Sequence, residues 1–117
     1  MNDIVRGFIS TTEGANYSYA PAVKQTKDGK DVYEVNISLK DKREDGTSEY
    51  VNIRVSVWGK AIEPVRAIVE KVLAMPDEKR AQIAFEGEWQ EAYVSSGGKR
   101  TEQFRAFDAS PWFSSYR

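Results

Sequence analysis

The chain has 117 residues, of which 30% are charged, carries a formal net charge of −1 at pH 7 and contains neither cysteine nor histidine. This length is enough for one domain, and the missing residue types exclude disulfides, thiolate zinc clusters and a cysteine nucleophile and remove the commonest general base. We therefore expect a protein that is not an enzyme and that carries no metal or other cofactor. No apolar segment approaches the ~20 residues that cross a bilayer, so we also expect no membrane association.

The N-terminal residues lack the basic segment and the apolar stretch of a signal peptide, which predicts a location in the cytoplasm. The first predicted strand runs from Asp3 to Ile9 and carries apolar groups on both faces, as in a small barrel. Gly7 in its middle predicts a tight bend or a bulge. Residues 11–31 are polar and rich in turn residues. We interpret them as a long loop or a loose hairpin with its turn at residues 28–30, and as a candidate binding loop.

The next two segments alternate cleanly between apolar and polar residues, which predicts strands over Val32–Lys40 and Glu49–Trp58. The side chains predicted to face the core are Tyr33, Val35, Ile37, Leu39, Val51, Ile53, Val55 and Val57. Gly59 then ends the second of these strands.

A helix is predicted over Ala61–Met75, with Pro64 in its first turn. Its apolar stripe consists of Ile62, Val65, Ile68, Val69, Val72 and Leu73. A fourth strand, Gln82–Tyr93, is expected to direct Ile83, Phe85, Gly87 and Trp89 inward. Residues 95–98 are typical of a hairpin turn, and Lys99–Ala109 returns as a fifth strand with Phe104, Ala106 and Phe107.

Three strands, one helix and two strands in this order predict an all-β domain, a five-stranded OB-fold barrel with the helix between strands 3 and 4. An open α+β sheet with the same element order is the alternative. We assign residues 1–109 to the barrel and residues 110–117 to a short C-terminal tail. Its aromatic residues Trp112, Phe113 and Tyr116 are expected to dock on the barrel or on a neighbouring subunit. The alternative is that their rings supply extra stacking surface for a bound strand.

The polar face of the third predicted strand indicates a function. Residues two apart on a strand share a face, so this face presents Tyr50, Asn52, Arg54, Ser56 and Trp58. Aromatic rings stack on unpaired bases, and a guanidinium binds phosphate or stacks on a base. The row therefore predicts binding of a single nucleic-acid strand. The alternative is that Tyr50 and Trp58 pack under the helix or in a subunit interface.

Basic and aromatic residues also occur together in three predicted loops. OB-folds bind oligonucleotides with two of these, the loop between the first and second strands and the loop between the fourth and fifth. The candidate residues are Tyr17, Tyr19 and Lys24 in the first loop, Lys40, Lys42 and Arg43 in the second, and Tyr93, Lys99 and Arg100 at the last hairpin. Solvated surface charges are the alternative for each lysine, because acidic residues lie close by in the sequence.

The segment from Tyr50 to Ala61 resembles the bacterial single-stranded DNA-binding (SSB) proteins, in which an alternating strand with an arginine ends in aromatic-Gly-Lys before a helix. Met1–Val5, Val35–Leu39, Phe85–Gly87 and Arg100–Asp108 resemble that family's other strands. The resemblance implies an OB-fold, sequence-tolerant binding of single-stranded DNA in replication, recombination or repair, and a homo-oligomer, usually a tetramer. It implies that Trp58 stacks on a base and that Arg54 contacts the strand, and Lys60 joins the candidate site residues.

The sequence departs from this family at three places. Asn52 stands where the family often has tryptophan, Tyr93 is shifted by one position from another family tryptophan, and residues 110–117 lack the acidic tip that recruits repair proteins. Two alternatives stay open. One is a primosome-type OB-fold protein, a dimer that acts mainly through contacts with replication proteins. The other is an OB-fold interaction module without nucleic acid.

Overall fold

A computed structural model of the protein describes residues 2–11, 14–16, 18–42, 44–75 and 82–112. The elements in these ranges are β1 (Asp3–Ile9), β2 (Ala22–Gln25), β3 (Asp31–Lys42), β4 (Ser48–Trp58), a 3₁₀ turn (Gly59–Ala61), α1 (Ile62–Leu73), β5 (Gln82–Val94) and β6 (Arg100–Trp112). α1 has 12 residues, and no described helix is long and apolar enough to cross a bilayer.

Five of the strands close into a ring. Their order is β1-β5-β6-β4-β3, and β1 also pairs with β3, which joins the two ends of the sheet. β4 and β6 run parallel, whereas the other neighbouring strands run antiparallel. The prediction of a five-stranded OB-fold barrel with its helix between the third and fourth barrel strands is therefore confirmed. The closed ring excludes the open α+β sheet.

The long segment after β1 contains a short strand outside the barrel. β2 pairs with β3 from Ala22 opposite Glu34 to Gln25 opposite Asp31. The intervening turn is closed by the amide of Thr26, which donates to the carbonyl of Lys30 at 2.9 Å. The prediction of a loose hairpin with its turn near residues 28–30 is confirmed, and Lys24, which was expected in a loop, lies on a strand.

The core lies inside the barrel and under α1, and the sequence alternation predicts most of it. The buried residues of the core include Tyr33, Val35, Ile37, Ile53, Val55, Val57, Ile62, Val65, Val69, Val72, Ile83, Phe85, Phe104 and Ala106. Leu73 was predicted to be part of the buried stripe but is exposed. It follows Val72 by one residue, a rotation of about 100° around the helix axis, which takes its side chain away from the barrel.

Two glycines allow neighbouring strands of the barrel to approach closely. A Cβ atom on Gly7 would lie 2.5 Å from the carbonyl oxygen of Ser38, and one on Gly87 would collide with the carbonyl oxygen of Arg105. Gly87 also lies at a register shift between β5 and β6. Any larger side chain at either position therefore requires the backbone to move.

The prediction that Trp89 enters the core is wrong. Its indole meets the ring of Phe104 edge to face, with centroids 5.2 Å apart, but Trp89 remains 46% exposed. Trp89 lies opposite the buried Phe104 in the β5–β6 ladder, so it is on the predicted face of the sheet. The neighbouring residues Glu88, Gln90 and Glu91 are exposed, so the indole covers Phe104 at a place where the core does not enclose it.

β6 extends three residues beyond its predicted end. Ser110, Pro111 and Trp112 pair with Ala84, Ile83 and Gln82 of β5. β4 pairs with β6 only as far as Ala106. Pro111 therefore lies where the other side of β6 has no ladder with β4, a position that tolerates the missing N–H group. Phe113, Tyr116 and the rest of residues 113–117 lie outside the described residues.

Candidate nucleic-acid interface

The outward face of β4 forms the centre of the candidate interface. Its described outward residues, each at least partly exposed, are Asn52, Arg54, Ser56 and Trp58. They alternate with the buried residues Ile53, Val55 and Val57. The predicted row of side chains therefore lies on one face of the barrel, because the core fixes the orientation of the residues between them.

Neighbouring strands widen this face on both sides. On β6, Gln103 lies opposite Arg54 and Arg105 lies opposite Ser56. On β3, Asn36 lies opposite Arg54. Paired residues point to the same side of a sheet, so amide and guanidinium groups from three strands share one surface.

An open groove of about 900 Å³, here called the hairpin groove, crosses one end of this surface. The predicted site residues that line it are Tyr19, Asn52, Arg54, Tyr93, Lys99 and Arg100. Its other lining residues are Ser10, Asn36, Val51, Ser95, Thr101 and Glu102. The fold thus brings together residues from the segment after β1, from β4 and from the β5–β6 hairpin, which are far apart in the sequence.

The hairpin groove combines exposed rings with positive charge. Tyr19 is 39% exposed and Tyr93 is 52% exposed. Among the residues that line the groove, Arg54, Lys99 and Arg100 are cationic and Glu102 is the carboxylate. The guanidinium Nε of Arg100 donates to Glu102 at 2.7 Å, so part of the positive charge is locally balanced.

Hydrogen bonds hold the two loops that form the groove. The turn of the β5–β6 hairpin is closed by the amide of Gly98, which donates to the carbonyl of Ser95, and by the amide of Ser95, which donates to the carbonyl of Lys99, both at 2.9 Å. On the opposite side, Asn36 Nδ2 donates to the carbonyl of Tyr19 at 3.5 Å. The groove is therefore built into the fold, with a short turn that positions Lys99.

Arg54 is the central cation of the face, and it shares a carboxylate with Lys24. Glu34 Oε1 lies 3.8 Å from Arg54 Nε and 3.4 Å from Lys24 Nζ. Lys24 lies on β2, Glu34 on β3 and Arg54 on β4. The three charges form a network across three strands in which one anion serves two cations.

A second open groove, about 960 Å³, borders the first and is here called the tryptophan groove. Its lining residues are Lys30, Asp31, Ser56, Trp58, Gly59, Ile62, Gln90, Glu91, Gln103 and Arg105. Trp58 is half-buried and lies opposite the buried Val32 of β3. Arg54 and Ser56 are consecutive outward residues of β4, so the two grooves follow each other along this strand.

Some predicted site residues lie elsewhere. Lys60 is exposed in the 3₁₀ turn and lines neither groove. Lys24 reaches the face only through Glu34. Tyr17 and Arg43 lie outside the described residues, as do the side chains of Lys40, Lys42 and Tyr50. No group of three acidic side chains in the described part of the chain is arranged to hold a cation.

Sequence reasoning missed three residues with suitable chemistry. Asn36 lines the hairpin groove, and Gln103 and Arg105 line the tryptophan groove. Alternation along their strands indicates that Asn36, Gln103 and Arg105 face outward. Their position beside Arg54 and Ser56 depends on the pairing of strands, which one segment of sequence does not reveal.

No protein-family model and no curated protein sequence matches the chain. Solved structures of single-stranded DNA-binding proteins are similar to it. The Thermus aquaticus protein is 20% identical to the chain, with a TM-score of 0.54. The Plasmodium falciparum protein, solved in complex with single-stranded DNA, is 13% identical, with a TM-score of 0.54. A small Mycoplasma pneumoniae protein is 8% identical, with a TM-score of 0.53. The match covers 95% of this chain and 49% of the Thermus aquaticus chain. It covers 97% of this chain and 93% of the Plasmodium falciparum chain, and 99% of this chain and 95% of the Mycoplasma pneumoniae chain.

The chain therefore spans about half the length of the Thermus aquaticus protein. At these identities the likeness concerns the course of the backbone. The protein has the OB-fold barrel that these single-stranded DNA-binding proteins share.

Proposed function

We propose that the protein binds single-stranded DNA, without base specificity and without catalysis, along the outward face of β4. The observation that carries this proposal is the hairpin groove, in which Arg54, Lys99 and Arg100 stand beside the exposed rings of Tyr19 and Tyr93. A cationic groove that follows the backbone, combined with rings on which bases stack, is the usual arrangement for single strands.

The composition of the groove favours an unpaired strand over a duplex. Partly exposed tyrosine rings gain little from a duplex, whose bases already stack on each other, but each can stack on an unpaired base for about 1–3 kcal/mol. Asn36 and Asn52 add amide groups that can hydrogen-bond the exposed base edges. The cations supply contacts to phosphates, which carry no sequence information.

In the cell, this activity would coat and protect single strands that are exposed in replication, recombination or repair, in the cytoplasm. The proposal is supported by the OB-fold barrel and by the binding surface that lies on it. The three similar solved structures named above are of single-stranded DNA-binding proteins. Contacts with replication or recombination proteins are part of the proposal.

We also propose that the protein forms a homo-oligomer, a tetramer or a dimer. Ile4 and Phe8 alternate with core residues on β1, and they are 68% and 42% exposed. Large apolar side chains on one outward strand favour association. Native mass spectrometry distinguishes the two assemblies. A tetramer is expected of an SSB-type protein, whereas a dimer would favour the primosome-type alternative.

The binding of fluorescently labelled dT oligomers, followed by anisotropy, tests the proposed activity. We expect saturable binding that weakens as salt rises, with a slope of about −0.7 in log K against log salt for each phosphate contact. An unlabelled single strand should compete, and a duplex of the same length should compete poorly. A protein that binds neither single strand nor duplex would instead fit an OB-fold interaction module without nucleic acid.

A further inference from the structure

Arg105 stands on the outward face of β6 and takes no part in the hairpin groove. It is exposed, lines the tryptophan groove together with Trp58, and lies opposite Ser56 of β4. Ser56 and Trp58 are successive outward residues of the same strand. One strand spacing and two residues of rise place the Cα atoms of Arg105 and Trp58 roughly 8 Å apart.

Among the described residues, no carboxylate forms an ion pair with Arg105. Arg54, Arg66 and Arg100 each have a carboxylate oxygen within reach, at 3.8, 3.2 and 2.7 Å. In the described part of the chain Arg105 has none, although Glu88 of β5 lies opposite it in the sheet. Its guanidinium is therefore available to an external anion.

An aromatic ring restricts the position of this guanidinium. The Arg105 Cζ atom lies 6.0 Å from the centroid of the Phe107 ring, within the range of a cation–π interaction. Such stacking leaves the N–H groups at the edge of the guanidinium plane free to donate. This contact favours side-chain positions near the sheet surface, and such a bias lowers the entropy lost on binding.

A half-buried indole and an exposed guanidinium on neighbouring strands match the two parts of a nucleotide. The indole can stack on a base, and the guanidinium can hold a phosphate through two parallel hydrogen bonds. We infer that Arg105 binds a backbone phosphate next to the base that stacks on Trp58. The DNA strand then continues from the hairpin groove across Ser56 into the tryptophan groove.

Other charges of the tryptophan groove reduce its attraction for the phosphates of DNA. Lys30 and Arg105 face two carboxylates, Asp31 and Glu91. The groove as a whole therefore does not attract a polyanion strongly, and its contribution depends on a direct contact at Arg105. This inference rests on the proposed binding of single-stranded DNA, and it adds a phosphate contact outside the hairpin groove.

Substitution Arg105→Gln tests the inference against Arg66→Gln, which removes the same charge from α1, outside both grooves. With dT oligomers long enough to fill both grooves, we expect Arg105→Gln to weaken binding about tenfold, as for loss of a hydrogen bond to a charged group. The salt slope should become shallower by about 0.7. Arg66→Gln should bind within about twofold of the wild type, because an exposed charge outside the site contributes little.

Phe107→Leu provides a second variant, because it keeps the charge of Arg105 and removes the ring. We expect weaker binding with the wild-type salt slope. The inference is overturned if the wild type binds dT oligomers but Arg105→Gln retains both the affinity and the salt slope of Arg66→Gln. Failure of the wild type to bind any single strand is a different result, which removes the proposed function and this inference together.

Discussion

Glu34 on β3 lies 3.8 Å from Arg54 on β4, at the centre of the face proposed to bind DNA. The same carboxylate oxygen lies 3.4 Å from Lys24 on β2. A phosphate that approaches Arg54 must therefore compete with an anion that belongs to the protein. Partly exposed ion pairs of this kind are weak, so a DNA phosphate can displace Glu34.

Replacement Glu34→Gln should strengthen binding of dT oligomers. It leaves two cations without their carboxylate, and each that gains a phosphate contact should steepen the salt slope by about 0.7. Titrations at several salt concentrations measure both effects. Glu63→Gln, an exposed change in the first turn of α1, is the matched control for the loss of one negative charge. An equal gain in affinity for dT oligomers in Glu34→Gln and Glu63→Gln would mean that binding responds only to the net charge of the protein.

Replacement Trp58→Ala should weaken binding by about 1–3 kcal/mol, because one base loses its stacking partner. We also expect dT oligomers to quench tryptophan emission in the wild type and to do so much less in this variant. Trp89→Phe is the control, since Trp89 is exposed but lines neither groove. A folded Trp58→Ala protein with wild-type affinity would show that the indole packs against its own sheet only.

The cations of the β5–β6 hairpin should determine much of the salt dependence. The double variant Lys99→Gln/Arg100→Gln removes two charges from the hairpin groove. We expect a salt slope shallower by up to about 1.4, the value for two phosphate contacts. Arg66→Gln/Lys71→Gln removes two charges from α1 instead and should keep the wild-type slope. Identical slopes in both double variants would place the DNA backbone elsewhere on the protein.

Gly87→Ala should destabilise the fold itself. The added Cβ atom would collide with the backbone carbonyl of Arg105, and β5 and β6 would have to separate. Overpacking of this kind costs about 1–3 kcal/mol or more, which urea unfolding can measure. Gly97→Ala is the matched control in the hairpin turn, where the nearest atom to the new Cβ would be Ser95 Oγ at 3.9 Å. A Gly87→Ala protein as stable as Gly97→Ala would contradict the close approach.

Tyr33 should make the stability of the fold depend on alkaline pH. Burial, with a smaller contribution from the negative charge of Glu70, raises the pKa of Tyr33 from 10.0 to about 12. Between these two values the folded protein keeps a proton that the unfolded chain releases. The free energy of unfolding should therefore fall as pH rises from about 10 to 12, by about 1–3 kcal/mol for this group.

Urea unfolding of the wild type and of Tyr33→Phe, below and within this pH range, measures the effect of Tyr33. The ordinary titration of other groups cancels in the comparison. We expect the wild type to lose more stability than the variant across the range. Parallel losses in the two proteins would show that Tyr33 is not responsible.

The fold could be predicted to a large extent because local patterns determine it. Alternation in Val51–Trp58 gives both a buried face and an exposed face, and a period of 3.6 in the segment after Gly59 gives a helix. The burial of Trp89 was predicted wrongly, although alternation placed it on the face of Phe104, its partner in the ladder. Alternation gives the face on which a side chain lies, but how much of that face the core covers depends on the packing of other elements.

The candidate site could be predicted only in part, for a similar reason. Arg54 and Trp58 stand out within one strand, and Lys99 and Arg100 stand out within one hairpin. Arg105 does not, because an arginine between Phe104 and Ala106 has the pattern of an ordinary solvent-facing residue. Its significance depends on the register of the parallel pairing with β4, which places it opposite Ser56, and the order of elements does not determine that register.

That parallel pairing has a consequence for the stability of the protein in the cell. Ile53 of β4 pairs with Glu102 of β6, a residue 49 positions later in the chain. Both grooves contain residues from these two strands. A partly unfolded barrel would therefore lack both complete grooves, so DNA that binds in them favours the complete fold. A ligand at 100 times its dissociation constant would add about 2.7 kcal/mol to the free energy of unfolding. Resistance to proteases would then rise and fall with the amount of single-stranded DNA present.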